Sequence, residues 1–339
     1  MAQRDIITVA ASAGGLEPLR ALVAGLPPDL PASVLVVLHV PAHGVSALPA
    51  ILDPAGPLPA GTAVDGEPLG RGRVHVAPPD HHVLVLDGHV TLSRGPRENG
   101  HRPAADPLFR SAALARGPGV VGVVLSGALD DGTAGLAAIR ARGGVAVVQD
   151  PEEAAYPGMP RSALETAGAD HVVAARDLPA LLDRLCREDV AGAARAEPAA
   201  LMDAEARVAR PGPDALHDPQ RPGVPAGLGC PDCNGALFEV PGEGALLRYR
   251  CRVGHAWSPD SLLAQQGLEL EGALWVALRT LEDKVALNVR LAQDAELRGR
   301  ALTAGRFEQA AEETLRAADS IRRLIAALGA SGSTAEIVG

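Results

Sequence analysis

The chain predicts an α/β fold: a doubly wound, mainly parallel sheet with an inserted β-hairpin, followed by a small zinc-ribbon-like module and C-terminal helices. Three observations carry this. Runs such as Val34-Leu35-Val36-Val37-Leu38 and Val120-Val121-Gly122-Val123-Val124-Leu125 are apolar almost throughout, which suits parallel strands covered on both faces. Such runs alternate with segments of helical period, the pattern of successive βαβ units. Late in the chain, two pairs of metal-ligating residues bracket a strand-like segment.

Taken in order, strands are expected at Ile6–Ala10, Ser33–His39, Arg73–Ala77, Val83–Leu86, His89–Leu92, Val120–Leu125, Val145–Gln149 and His171–Val173. Asp87-Gly88, between the fourth and fifth, marks a tight hairpin turn. Helices are expected at Leu16–Ala24, Val45–Leu52, Pro107–Ala115, Thr133–Arg142, Met159–Ala167 and Leu178–Cys186. Residues 1–187 thus form one α/β unit. Residues 188–228, rich in Ala, Pro, Gly and charge, read as a mostly disordered linker, with a helical turn near Met202–Val208. A metal module at 229–258 and a helical hairpin at 259–330 complete the chain. Ser258 is the expected N-cap of the first hairpin helix, with Pro259 at its first position. Leu274, Leu278, Leu281 and Val285 give that helix one apolar face.

Composition narrows the function classes. The 339 residues are enough for two domains with real cores, and at 47% hydrophobic but 2% aromatic those cores are aliphatic. A net charge of −10 without a basic stripe argues against a nucleic-acid partner. No apolar run reaches the roughly eighteen residues of a membrane span, and the N-terminus lacks signal-peptide features. The expectation is a cytoplasmic protein with no membrane insertion, whose cysteines are reduced.

The junction Ala10-Ala11-Ser12-Ala13-Gly14-Gly15 joins a buried strand to a helix through small residues. Ser12 stands there at a strand's carboxyl end, beside the free N–H groups of a helix start. It is a candidate nucleophile, and the N–H groups of Ala13, Gly14 and Gly15 are candidate oxyanion donors. The same turn also suits a phosphate cradle or a plain N-cap. Neither G-x-G-x-x-G nor the P-loop pattern is present, and Ala10 breaks the esterase pattern G-x-S-x-G. Two further residues follow strands in the same way: His39, after Val34–Leu38, and Asp131, in the loop after Val120–Leu125. In an open parallel sheet the carboxyl ends of strands gather at one edge. A hydroxyl needs a base within hydrogen-bond reach, and a carboxylate on the far ring nitrogen would orient that base. On residues alone, Asp130 and Asp131 serve equally as caps for the helix from Thr133. His81, His82 and His101 read as ordinary loop histidines.

Residues 5–187 resemble the catalytic domain of the chemotaxis protein-glutamate methylesterase CheB. The matching pieces are Ala11-Ser12-Ala13-Gly14-Gly15, Leu38-His39-Val40-Pro41, Val76-Ala77-Pro78, Arg102-Pro103-Ala104-Ala105-Asp106-Pro107-Leu108-Phe109, Ser126-Gly127 with Asp131-Gly132, and Tyr156-Pro157-Gly158-Met159-Pro160-Arg161, in the family's order. The resemblance implies a doubly wound domain with a Ser12–His39–Asp131 triad. It further implies hydrolysis of glutamate γ-methyl esters on methylated chemoreceptors, with glutamine deamidation as a second activity and no cofactor for catalysis. Ala128-Leu129 stands where the family usually has Met-Gly, Leu38 where it often has Gln, and Ala13 where Thr is frequent. With the first strand starting near Asp5, a stand-alone form without the family's receiver domain is expected.

Cys230-Pro-Asp-Cys233 and Cys251-Arg-Val-Gly-His255 supply three thiolates and one imidazole. That set makes a closed tetrahedral site, the structural kind of zinc site. In a module this small, Zn2+ replaces a missing core. A second function class stays open at this point: a regulatory or adaptor protein acting through the zinc module and helices.

Overall fold

The computed structural model describes residues 3–190, 200–210, 223–241 and 246–338. It divides into two compact units, Met1–Leu262 and Leu263–Gly339.

In chain order the first unit contains β1 (Ile6–Ala11), α1 (Leu16–Gly25), β2 (Ser33–Leu38), α2 (Leu48–Leu52), β3 (Ala60–Thr62), β4 (Arg73–Val76), β5 (His82–Leu86) and β6 (His89–Ser93). There follow α3 (Ala105–Arg116), β7 (Val120–Val124), α4 (Thr133–Ala141), β8 (Val145–Gln149), α5 (Gly158–Ser162), β9 (His171–Val173), α6 (Leu178–Arg187) and α7 (Ala200–Ala209). Then come β10 (Val224–Gly229), β11 (Ala236–Pro241), β12 (Leu247–Cys251), β13 (Ala256–Trp257) and α8 (Pro259–Leu297), whose first residues belong to this unit. Among the described residues, seven strands form one sheet in the order β3-β4-β2-β1-β7-β8-β9, with every pairing parallel.

Alternation along each strand feeds two cores. Ile7 and Val9 join Val34, Val36, Val121 and Val123 on one face, under Leu19 and Leu22 of α1 and Leu178 and Leu182 of α6. Ile6 and Ala10 join Leu35, Val37, Val120 and Val124 on the other, under Leu108 and Phe109 of α3 and Leu136 and Ile139 of α4. Gly122 permits the second contact: a Cβ there would lie 2.7 Å from Ile139 Cδ1. β5 and β6 form a separate antiparallel hairpin, and its turn residues Asp87 and Gly88 have φ of 49° and 78°, as a primed turn demands.

The central strand fixes where a site can form. β1 pairs with β2 on one side and β7 on the other, with Ala11 opposite Leu38 and Ala10 opposite Val124. The carboxyl ends of these three strands are therefore level, and the connections diverge to opposite sides of β1. Crevices in open parallel sheets open at such a point.

The expected linker is corrected in part. Residues 200–209 form α7, which packs on α3, and β10 begins at Val224, so the cysteine module starts before residue 229. The remainder of that stretch, 191–199 and 211–222, lies outside the described residues. The helix expected from Val45 starts only at Leu48, and Val45 is fully solvated. β3 was not anticipated: Ala60-Gly61-Thr62 is a three-residue edge strand without an apolar run. β10 to β13 form an antiparallel sheet in sequence order. Ser258 caps α8, its Oγ accepting the Ser261 N–H at 3.0 Å.

In the second unit, α8 from Leu263 and α9 (Ala301–Val338) bury Leu278, Ala292, Ala295, Ala304, Ala311 and Ala318, and Arg322 pairs with Glu282 at 2.6 Å. Leu274, Leu281 and Val285 are partly shielded beside Leu278. Among the described residues, no helix is long and apolar enough to cross a membrane.

Candidate active site and cysteine cluster

Ser12, His39 and Asp131 each follow one of the three level strands. Their side chains meet. His39 Nδ1 lies 3.0 Å from Ser12 Oγ, and His39 Nε2 lies 2.7 Å from Asp131 Oδ2. An ionised carboxylate only accepts, so Nε2 carries the ring proton and the Nδ1 lone pair faces the hydroxyl. Asp131 is buried and richly bonded: Oδ2 also accepts the Ala105 N–H at 2.6 Å, and Oδ1 accepts the Asn99 side-chain amide at 3.2 Å. Burial alone would raise its pKa, but the hydrogen bond and charge of His39 and the Ala105 N–H outweigh burial and hold the carboxyl far below the usual range. Asp130, the other candidate in this loop, accepts the Ser258 hydroxyl at 2.8 Å instead. Neither aspartate caps α4 through its side chain.

The turn after Ser12 is held by Ser126, whose hydroxyl donates to Ala13 O at 2.8 Å and accepts the Tyr156 N–H at 3.0 Å. Gly14 has φ 68°, and a Cβ there would meet Ser126 Oγ and Ala155 Cβ at 2.8 Å. Gly127 is equally constrained, because a Cβ would lie 2.9 Å from Ser12 Cβ. Of the expected oxyanion donors, the N–H groups of Ala13 and Gly14 have no acceptor among the described residues. Gly15 is a correction: its N–H donates to Ser12 O at 3.0 Å, closing the turn, and is not available to a ligand.

Two of the loop histidines also need correction. His101 stacks on His39 with ring centroids 3.7 Å apart. His82 begins β5, fully buried, with one ring nitrogen facing Pro96 O and the other accepting the Ala104 N–H. His81 remains a loop residue, its Nδ1 within 3.0 Å of Pro79 O. Asn99, His101, Asp106 and Ser126 surround the three residues; in the sequence Asn99 has no assigned place, His101 reads as a loop histidine, and Asp106 and Ser126 stand only within the resembling segments. Asp106 accepts the Gly135 N–H at 2.6 Å, and burial beside Asp131 pushes its carboxyl up to about 7. No spacing rule identifies such residues, because each acts through a partner distant in the chain.

Cys230, Cys233, Cys251 and His255 converge at the other end of the unit's sequence. Their ligand atoms lie within 4.8 Å of one another. Cys233 Sγ is 3.7 Å from Cys251 Sγ, and His255 Nδ1 is 3.7 Å from Cys230 Sγ and 3.5 Å from Cys251 Sγ. A tetrahedron with metal–sulfur bonds of about 2.3 Å and a metal–nitrogen bond of about 2.1 Å has edges of about 3.5–3.8 Å. The donor set and its spacing fit one four-coordinate ion. The indole N–H of Trp257, buried in the same cluster, interacts with the Cys230 sulfur, as an outer donor to a metal-bound thiolate would.

Comparison with known proteins bears on the first of these two sites. A protein-glutamate methylesterase/protein-glutamine glutaminase of Anaeromyxobacter dehalogenans (strain 2CP-C) is 44% identical over 182 residues, 53% of this chain and 52% of that protein. One of the same name from Pyrococcus abyssi is 36% identical over 180 residues, 52% of this chain and 49% of that protein. The chain spans about half the length of the curated relatives it matches. The crystal structure of the Thermotoga maritima CheB methylesterase catalytic domain aligns with a TM-score of 0.52 and 32% identity, covering 53% of this chain and 98% of that one. A family model described as CheB methylesterase matches residues 7–182, from β1 into α6 and ending before the cysteine module, and by that match the chain belongs to the CheB methylesterase family.

Proposed function

We propose that the chain hydrolyses glutamate γ-methyl esters on a chemoreceptor-like protein, with Ser12 as nucleophile, His39 as general base and acid, and Asp131 as the group that orients His39. The observation that carries this is the unbroken contact Ser12 Oγ–His39–Asp131, at 3.0 and 2.7 Å. The names of the relatives, protein-glutamate methylesterase/protein-glutamine glutaminase, supply the substrate class.

As Ser12 Oγ attacks the ester carbonyl, its proton passes to His39 Nδ1. The Asp131 carboxylate, ionised throughout, stabilises the imidazolium through Nε2–H. The N–H groups of Ala13 and Gly14, free of internal acceptors among the described residues, would donate to the negative charge that develops on the carbonyl oxygen, each such donor being worth about 100- to 1,000-fold in rate. Collapse expels methanol, which takes its proton from His39. Water then gives a proton to His39 and attacks the acyl-enzyme, releasing glutamate and restoring Ser12. A glutamine side chain reaches the same acyl-enzyme with ammonia as the leaving group, so deamidation is the companion activity.

Zn2+ at Cys230, Cys233, Cys251 and His255 would serve as a structural crosslink, since all four positions are protein ligands and none is open to substrate. Reduced thiols for that site and a receptor substrate agree with a cytoplasmic setting.

The test is methanol release from methylated receptor membranes. Wild-type chain releases methanol, and Ser12→Ala abolishes release while leaving the circular dichroism spectrum intact. Release that continues undiminished in Ser12→Ala, or is absent from the wild-type chain, discards the proposal.

A further inference from the structure

The cysteine module reaches the triad by two routes, a bond from the Ser258 hydroxyl to Asp130, next to Asp131, and a denser set of bonds centred on Asn99. Asn99 has a buried side chain and a left-handed backbone, φ 52°. Its Nδ2 donates to Asp131 Oδ1 at 3.2 Å and to Asp106 Oδ2 at 3.4 Å. Its Oδ1 accepts the Ser258 N–H and the Ser261 hydroxyl, both at 3.0 Å. Its N–H donates to Ala256 O at 2.8 Å, and Arg97 O accepts the Ala256 N–H at 3.1 Å. The segment 97–101 is thus paired with residues 256–258 as though by an added strand. His101, on the same segment, carries the ring that stacks on His39.

The other end of this bridge is the candidate metal site. His255 and Cys251 are ligand candidates, and Ala256, Trp257 and Ser258 follow His255 directly. Trp257 packs against Gly100, where a Cβ would lie 3.5 Å from its ring. Arg250, beside Cys251, donates to Glu98 at 3.2 Å and Glu205 at 3.1 Å, and Glu98 also holds Arg110 at 2.6 Å. A buried ion cluster therefore ties β12 to the same segment.

We propose that Asn99 is a positioning residue for the Asp131–His39 pair, held in place by the Cys3His module, so that filling the metal site sets the alignment of the triad. This rests on the hydrolase reading above. The physical basis is that β12 and β13 are short and the module's core is small: Cys230, Leu237, Cys251, Trp257 and Leu262. A metal crosslink supplies the order that such a core lacks. When that order is lost, Ser258, Ser261 and Ala256 no longer fix Asn99, and Asp131 Oδ1 keeps only the longer bond from the Asp106 N–H, at 3.5 Å. Misplacement of a reacting group by about 1 Å costs on the order of 100-fold in rate.

The experiment uses the full chain loaded with zinc, as wild type, as Asn99→Ala, and as the double variant Ser258→Ala/Ser261→Ala, which leaves Asn99 in place. Three quantities are read: bound zinc, kcat and KM for methanol release, and the downfield NMR resonance of the His39 Nε2 proton. Asn99→Ala is expected to lower kcat about 10- to 100-fold with KM within about twofold, and to broaden the proton resonance through exchange with water. The double variant is expected to keep its zinc, to lose a smaller part of kcat, and to broaden the same resonance. Chelation of zinc from the wild type should abolish the resonance, and zinc should restore it. A resonance and kcat unchanged in both variants, or a resonance indifferent to chelation, overturns the proposal. Absence of methanol release from every form counts against the hydrolase reading instead, while the resonance still decides whether the bridge orders His39.

Discussion

The ring of His101 lies flat on that of His39, with centroids 3.7 Å apart and planes 13° from parallel. Burial, and after it the neighbouring His39, pushes His101 down to about 4. In the proposed reaction His101 is therefore neutral when His39 receives the Ser12 proton, and it offers a π face to the imidazolium without competing for the charge. A stacked aromatic pair contributes roughly 0.5–1.5 kcal/mol beyond its burial. His101→Ala should lower the single-turnover rate of methanol release about 2- to 10-fold, and His101→Phe should recover most of the loss. Equal rates in wild type and both variants would remove the ring from the mechanism.

The same histidine makes stability depend on pH. Its folded value of about 4 lies below the ordinary 6.5, so between those limits the unfolded chain binds the proton and the folded chain does not. Its contribution is full above about 6.5 and is lost as pH falls towards about 4. Asp106 acts in the opposite sense: pushed up to about 7, it binds a proton in the folded chain as pH falls, which favours the fold. Comparing wild type with His101→Phe isolates the first effect, since Asp106 is common to both. The urea midpoint of the wild type should fall relative to that of His101→Phe between pH 7 and pH 5. Parallel curves would show that the ring is not kept neutral by the fold.

What the sequence could show depended on how local the cause was. β1, β2 and β7 are continuous apolar runs, and each run ends at one of Ser12, His39 and the Asp131 loop, so the meeting of three residues at one edge was legible from topology. β3 was not legible, because its pairing with β4 rests on backbone hydrogen bonds at an edge and not on side-chain pattern. Of α7 only a helical turn near Met202–Val208 was legible within a polar, proline-rich stretch, because its buried Glu205 answers to Arg248 and Arg250, more than forty positions away. Asn99 and Ser258 are 159 residues apart, and nothing in the local sequence of either announces the other. The cysteine cluster was legible because ligand type and spacing are local, whereas its connection to Asp131 arises only from tertiary packing.

Glu98 carries a heavier structural load than any surface charge. Its two oxygens accept Arg110 at 2.6 Å, and one accepts Arg250 at 3.2 Å, all three side chains being buried. Burial would raise the carboxyl's pKa, but the two guanidinium charges hold it below the ordinary value. Glu98→Ala would leave both guanidinium groups buried with one carboxylate, that of Glu205, to share with Arg248. Breaking a buried pair from one side costs about 3–5 kcal/mol. Chemical denaturation should show a loss of that order for Glu98→Ala, against a change near zero for Glu17→Ala, whose partner Arg20 is exposed. A loss below about 1 kcal/mol for Glu98→Ala would mean that water enters the cluster and that it does not fasten β12 to the segment carrying Asn99.

Thiol chemistry separates the four cysteines by what protects them. Cys186 is fully buried in α6, within the core under the parallel sheet, and its protection requires only that this core stay folded. Cys230, Cys233 and Cys251 lie in a module whose buried cluster holds five residues, so under the proposed reading their protection depends on a metal held by the Cys3His cluster. A zinc-loaded chain should therefore resist an aromatic disulfide reagent at all four positions. On addition of a chelator, three thiols should react together, with release of one zinc ion per chain, while Cys186 reacts only at the rate of global unfolding. The parallel sheet should keep its far-ultraviolet signal through this step, because no ligand belongs to it. Reaction of all four thiols at one rate would mean that the module and the sheet unfold as a single unit. Reaction of three thiols without a chelator, in a chain to which zinc had been supplied, would mean that the cluster does not hold the ion.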